Sequence, residues 1–356
     1  MFPRLKWHLE PETGWMNDPN GLVWFQDKYH AFYQHNPHAP VWDTMHWAHA
    51  VSDDLIHWTH LPIALYPDQP YENTGGCFSG SAIVKDGVLY LIYTAVSEEL
   101  GQTQCVATST DGIHFEKYAG NPVIDHYPED GCGDFRDPKV LQIGDTYHLV
   151  VASGKDGCAK ILHYRSDDLL HWEYKGVLFS GPEFGGIFEC PDLFPLGEHY
   201  VLHCSLINHP TRRVLFVVGD FDGETFTPIS RQTPEAGHFY ASQSFLAPDG
   251  RRIMIGWMAN PHYTPQVNLS RAGCLSLPRE LSLVDGRVVC APIREAASLL
   301  TDKSHNVTVT SGAVRLKTGP SDLTWYGDVQ SVQILQDTRT IEVFINEGRA
   351  NLSSWL

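Results

Sequence analysis

At 356 residues the chain is long enough for two ordinary domains, or for one large β domain with an appendage. Its formal net charge of −17 argues against nucleic acid as a partner, which would need a basic face, and says nothing against a neutral sugar. No apolar run approaches the ~20 residues that span a bilayer, so no membrane partner is expected. Met1–Asp18 lacks the apolar centre of a secretory signal, so the eight cysteines, none in a C-x-x-C pair, read as reduced thiols. A cytoplasmic location follows as the expectation, with the sequons at Asn268, Asn306 and Asn351 as chance matches.

Along the chain, short strand-like stretches recur and no convincing helix interrupts them. Ten tryptophans, fifteen tyrosines and sixteen phenylalanines add to this strand-forming bias. Four segments are alike: Ser52 to Trp58 (SDDLIHW), Ser109 to Phe115 (STDGIHF), Ser166 to Trp172 (SDDLLHW) and Asp220 to Phe226 (DFDGETF). Aligned on Asp54, Asp111, Asp168 and Asp222, they are spaced by 57, 57 and 54 residues. Each reads as a polar turn closed by an aromatic anchor, beside strands such as Val88–Tyr93, Tyr147–Val151 and Val214–Val218. A period of this size predicts β-propeller blades, and five periods of about 56 residues end near Leu277–Leu281. A β sandwich with coincident hairpins is the alternative, which two equal intervals disfavour. The expected fold is all-β: a five-bladed propeller over 1–288 and a shortened C-terminal sheet or sandwich over 289–356.

The same period points to a site. Asp18 lies 36 residues before Asp54, Ser79 32 before Asp111, Asp137 31 before Asp168 and Glu189 33 before Asp222. If these stretches form the innermost strands, Asp18, Asp137 and Glu189 converge on one funnel. Hydrolysis of a glycosidic bond needs an anionic carboxylate and a protonated carboxyl on opposite sides of the bond, and a third carboxylate can hold sugar hydroxyls. Glu189 sits in a mostly apolar stretch, where burial and two neighbouring acids would leave it holding the proton. Asp18 and Asp137 each precede proline, which favours extended backbone. Alone, each Asp-Pro would read as a turn.

The motifs WMNDPNG (Trp15–Gly21), FRDP (Phe135–Pro138) and ECPDLF (Glu189–Phe194) resemble those of glycoside hydrolase family 32, the invertases, sucrose-6-phosphate hydrolases, levanases and inulinases. The resemblance runs from about residue 5 to 281, through Phe32–Pro37, Met45–Trp47, Gly76–Ser81, Phe239–Ala241 and Ile255–Met258, with departures at Asp43, Ala48 and His238. It implies a propeller followed by a β sandwich and retaining hydrolysis of terminal β-fructofuranosides. Asp18 would be the nucleophile, Glu189 the acid/base and Asp137 the transition-state stabiliser. Asn17, Gln34, Trp42, Phe78, Ser79, Arg136, Tyr240 and Trp257 match positions that line the fructosyl site; Trp42 and Trp257 could equally be packing residues, and Arg136 could also neutralise Asp137. A catalytically silent fructan-binding lectin and a fructosyltransferase are the competing readings.

No cofactor and no metal are expected. His46 and His49, three apart, do not share a strand face, and His57, His114 and His171 belong to the turns. Cys190 reads as a small buried hydrophobe. The partner is a small carbohydrate: sucrose, sucrose 6-phosphate or a short fructo-oligosaccharide. Arg212 and Arg213 are the candidates for a phosphate contact, and a solvated loop explains them equally well. After residue 288, strands are expected at His305–Thr310, Ala313–Lys317, Ser331–Leu335 and Thr340–Ile345. Too few to close two sheets, they should dock on the propeller with Val307, Val309, Val332, Ile334, Ile341 and Val343 partly facing the blades. The free edge would serve as a homodimer contact.

Overall fold

The computed structural model describes residues 3–208, 210, 213–259 and 270–356. Five four-stranded antiparallel meanders follow one another along the chain, the first extended by a short extra strand. Their first strands are Gly14–Phe25, Gly76–Lys85, Arg136–Ile143, Glu189–Leu196 and Tyr240–Leu246. Each packs on the next and the fifth packs on the first, so the five sheets form the closed ring of a five-bladed propeller. Arg271–Ala272 runs parallel to Gly14–Trp15 and ties the chain's return to its beginning.

Local chemistry accounts for the hairpins. Asp86-Gly87, Asp156-Gly157 and Asp285-Gly286 join adjacent strands with both residues at positive φ, the two-residue geometry whose twist matches the strands it connects. The repeated seven-residue turn is equally regular. Ser52 Oγ accepts from the N–H groups of Asp54 and Leu55, and Asp54 Oδ1 accepts from those of Ile56 and His57. The bonds recur at Ser109/Asp111 and Ser166/Asp168, and each of the three aspartates also meets its histidine, as in the 2.7 Å contact of Asp54 with His57.

Between blades the strands bury apolar side chains in five separate layers. Phe32, Trp47, Leu91 and Tyr93 fill the first interface, and Ile92, Val140, Leu149 and Val151 the second. Phe188, Leu193, Ile161 and Val217 fill the third, and Phe194, Phe216, Phe239 and Met254 the fourth. Tyr33, Ala50, Ile253 and Ile255 close the ring between the fifth and first blades. The fifth blade's outer strand is Arg287–Pro292.

The C-terminal module departs from the expected strand count. It is a small two-sheet sandwich: Val307–Thr310, Ala313–Lys317 and Asp322–Tyr326 face a sheet of Val332–Gln336, Thr340–Ile345 and Ala350–Trp355. The second sheet gains a fourth strand, Glu235–Gly237, from the connection that precedes the fifth blade. Borrowing that strand is how so short a segment supports two sheets. Ile334, Ile341 and Val343 therefore point into the inter-sheet core with Val314 and Leu316, joined there by the part-buried Val307 and Val332, instead of facing the blades. Val309 is exposed. The alternation of Thr340–Ile345 sends the opposite side chains to the propeller, where Phe344 and Leu335 join the interface of the fifth and first blades.

Glu342, on that same face, is fully buried at the joint. It accepts from Leu277 N–H at 2.7 Å, from Arg279 Nη2 at 2.5 Å and from His8 Nε2 at 2.9 Å. His8 Nδ1 lies 2.9 Å from Asp337, and Arg279 also pairs with Glu235. Burial opposes the charge on His8, but the hydrogen bonds and charges of Asp337 and Glu342 outweigh it and hold the imidazolium up to about 9. Its stabilising contribution is thus fully present below the ordinary histidine value of 6.5 and is lost as pH rises through about 9. Glu342, burial notwithstanding, is held down to about 2 by Arg279 and His8, so its contribution fails only in acid. Replacing His8 by Ala leaves two buried carboxylates short of a partner. It should cost about 3–5 kcal/mol near pH 7 and flatten the alkaline fall of Tm. Thermal unfolding of both proteins from pH 6 to 10 checks this; equal Tm values would contradict the role given to the joint.

Candidate active site

All five first strands carry one extra residue near their starts. Register slips by one between Met16 and Pro19, Phe78 and Gly80, Arg136 and Lys139, Glu189 and Asp192, and Tyr240 and Gln243. Such bulges break the strict alternation of a strand and turn side chains toward the axis. Asp137, Cys190 and Ala241 sit in the left-handed region at φ 65°, 46° and 51°. Asp137 is therefore not extended, as its position before Pro138 had suggested. The register also corrects the blade alignment: Glu189, opposite Ser205, is the counterpart of Arg136, opposite Ala152, and Tyr240, opposite Trp257. Cys190, not Glu189, is the counterpart of Asp137.

The bulges border a cavity of about 540 Å³. Asp18, Asp137, Glu189, Asn17, Gln34, Trp42, Phe78, Ser79, Arg136, Tyr240 and Trp257 all line it, so the three carboxylates and the eight residues expected at the fructosyl site reach the same space. Trp15, Gln102, Asp134 and Ile207 line it as well and were not singled out. Asp134 could have been suspected from its place two residues before Arg136. Gln102, brought in from the third strand of the second blade, carries no sequence signal.

Asp18 is held from both sides. Asn17 Nδ2 donates to Oδ1 at 3.1 Å, Ser79 Oγ donates to Oδ2 at 2.7 Å, and Cys190 Sγ stands 3.7 Å from Oδ2. Asn17 is fixed in turn by Trp15 Nε1 at 2.7 Å. Asp137 is buried and accepts the Cys190 N–H at 2.8 Å. Glu189, half-buried, is not surrounded by the apolar wall that its sequence context suggested. Arg136 Nη2 donates to its Oε1 at 2.9 Å and Tyr240 Oη to its Oε2 at 2.6 Å. The same guanidinium reaches Asp134 at 2.5 Å. Trp42 stands 55% exposed at the rim, edge-on to Phe78, while Trp257 is edge-on to Trp15 deeper in.

Four carboxyl groups thus line one cavity, and its guanidinium is bonded to two of them, Glu189 and Asp134. Burial, and then the charge of Glu189, push Asp18 above the ordinary aspartate range against the pull of its hydrogen bonds. Burial raises Asp137 to about 7, the charges of Glu189 and Asp18 adding to it and Arg136 opposing.

The remaining candidates lie elsewhere. His46 packs edge-on to Tyr66, and His49 stacks on Phe32 and bonds His30 at 2.9 Å. Arg213 donates to the Glu235 carbonyl at 2.6 Å, away from this cavity; Arg212 falls outside the described residues. His238 accepts from Trp355 N–H at 3.0 Å, so this departure from the family pattern belongs to the joint with the C-terminal module.

Because ionised Asp137 is disfavoured in the fold, it contributes destabilisation that grows as pH rises from the ordinary aspartate value to about 7. Asp137→Asn should therefore raise stability above pH 7, on the order of 1–2 kcal/mol, while activity collapses. Unfolding at pH 8 checks the sign, and a loss of stability there would contradict it.

Known proteins resemble this chain along most of its length. The model of the glycosyl hydrolases family 32 N-terminal domain matches residues 8–292. A sucrose-6-phosphate hydrolase of Escherichia coli is 36% identical over 98% of this chain and 88% of its own. A raffinose invertase of Escherichia coli is 40% identical over 82% of this chain and 65% of its own. Among solved structures, a β-fructofuranosidase of Bombyx mori, determined with sucrose bound, superposes with a TM-score of 0.89 at 30% identity, covering 99% of this chain and 89% of that one. The alignment with the hydrolase runs 429 positions, more than this chain possesses, so the length by which the two differ is largely internal. With the family model matching most of the chain and the sucrose-6-phosphate hydrolase 36% identical over 98% of it, the chain belongs to glycoside hydrolase family 32.

Proposed function

We propose that the chain hydrolyses terminal non-reducing β-D-fructofuranosides with retention, by double displacement at the cavity of the propeller. The observation that carries this reading is the set of three carboxyls, Asp18, Asp137 and Glu189, at one cavity with a single guanidinium between Glu189 and Asp134. An oxocarbenium-like transition state needs such paired carboxyls across the bond.

In this mechanism Asp18 attacks the anomeric C2. The donors from Asn17 and Ser79 fix the orientation of its carboxylate, and its raised proton affinity makes it a stronger nucleophile once ionised. Glu189 gives a proton to the departing oxygen and then takes one from water, aimed by Arg136 and Tyr240. Asp137, braced by the Cys190 N–H, binds fructosyl hydroxyls, where a carboxylate strengthens its hold as positive charge develops on the ring. Gln34, Phe78, Trp42 and Trp257 shape the sugar's surroundings, Trp42 from the rim.

Sucrose, sucrose 6-phosphate and short fructo-oligosaccharides are the proposed substrates, within sucrose catabolism. The relatives' names support the fructosyl half of each. A cytoplasmic site of action is supported by eight unpaired cysteines, and no described helix is long and apolar enough to cross a membrane. The division into a catalytic propeller, 1–288, and a supporting module, 289–356, belongs to the same reading, with the fifth blade's outer strand favouring a joint a few residues later. A homodimer through that module is supported by its edge strand Asp322–Tyr326, where Tyr326 is largely exposed.

Purified protein should release glucose and fructose in equal amounts from sucrose. Asp18→Asn should lose several orders of magnitude in kcat with the fold intact. Glu189→Gln should lose as much on sucrose but far less on an aryl fructoside whose leaving group needs no proton. Equal losses of Glu189→Gln on both substrates would assign Glu189 to binding instead of proton transfer.

A further inference from the structure

A second cavity lies where the propeller meets the sandwich. Its volume is about 330 Å³, within the range of small-molecule sites. Its walls come from four parts of the chain. Arg213 begins the third strand of the fourth blade, and Gln232 to Ala236 forms the connection that supplies the borrowed strand. Arg287 lies on the outer strand of the fifth blade, and Trp325 and Arg349 belong to the sandwich. Among the described lining residues three are arginines and none is acidic, in a chain of net charge −17.

The surrounding groups leave cationic character in the cavity. Arg349 pairs at 3.2 Å with Asp285, which is itself well exposed, so that pair is weakly held. Arg213 gives an N–H to the backbone carbonyl of Glu235 and is held in the wall, so the cationic character rests on Arg287 and Arg349. No pair to a described carboxylate is found for Arg287. Guanidinium groups are suited to oxyanions because their forked donors match the oxygens of a phosphate, and Arg287 and Arg349 together exceed what the single exposed carboxylate of Asp285 can use. Beside them, Thr233, Thr324 and Gln232 supply polar groups and Trp325 an apolar ring, the mixture that recognises a hydroxylated small molecule.

We propose that this inter-domain cavity binds a small phosphate-bearing molecule, either free phosphate or the phosphate ester of a monosaccharide. Polyanionic chains are disfavoured by the cavity's size and by the negative charge of the protein as a whole. The site shares none of its lining residues with the catalytic cavity, so it is a second site and not an extension of the first.

Isothermal titration calorimetry on the full chain tests this with inorganic phosphate, glucose 6-phosphate and glucose as probes. At least one of the two phosphates should bind and glucose alone should not; which of the two binds more tightly identifies the source of the phosphate. Arg287→Ala and Arg349→Ala, both at exposed positions, should each weaken that binding tenfold or more. Each should leave Tm and kcat/KM for sucrose unchanged. Raising the salt concentration should weaken binding in the wild type. Failure of both phosphates to bind would overturn the proposal, as would binding that both substitutions leave intact.

Discussion

One extra residue near the start of each inner strand is the constraint on which the site depends. A regular strand in a propeller sends alternate side chains into the layers on its two sides, and those layers here are apolar and full. A functional group can reach the axis only where this alternation is broken. The breaks occur at the same height in all five blades, and three of them hold a non-glycine residue at positive φ. Conformations of that kind cost of order 1–3 kcal/mol each and persist only where the surroundings fix them. Here the surroundings do so with specific bonds: Thr94 Oγ1 receives the Asp137 N–H, and Ser205 Oγ that of Ala241.

That arrangement concentrates charge as well as geometry. Four carboxyls converge with one guanidinium, so the fold keeps Asp18 and Asp137 in a state that water would relieve. Arg136 moderates this repulsion while aiming Glu189. The opposite solution appears at the joint with the sandwich, where His8, Arg279, Asp337 and Glu342 pair buried charges of both signs. The first cluster faces an open cavity; the second is closed, and each of its carboxylates, Glu235 included, has a cationic partner. Stability and chemistry are thus assigned to different ionic clusters of one chain.

Much of this was legible in the sequence because its determinants are local. The Ser-x-Asp turn is held by bonds that span at most three residues, so its recurrence in the sequence is its recurrence in space. The carboxylates could be named from the same period. Their exact register could not, since a bulge adds a residue without any mark in composition; Glu189 was set level with Asp137 when it is level with Arg136. The environment of Glu189 was misjudged for a related reason. Phe188 and Leu193 pack into the interface between blades, while Glu189 itself turns to Arg136 and Tyr240, which come from other blades. Ala350–Trp355 lies outside the expected strands, and it carries the polar Asn351 and Ser353 in alternation with Ala350, Leu352 and Ser354. Asn351 and Ser353 are buried against Glu235 and Arg279 at the joint. The borrowed strand Glu235–Gly237 is too short to announce itself, and only its pairing with that last strand makes it one.

The central claim is that Asp18 attacks the sugar from the face opposite the group that Glu189 protonates. Its most direct test is the configuration at C2 of fructose at the instant of release, followed by NMR during rapid turnover of sucrose before mutarotation. Two displacements should deliver the β anomer first, with the α form and the pyranose appearing only later. The α anomer as the first product would mean a single displacement by water, and Asp18 could not then be the nucleophile.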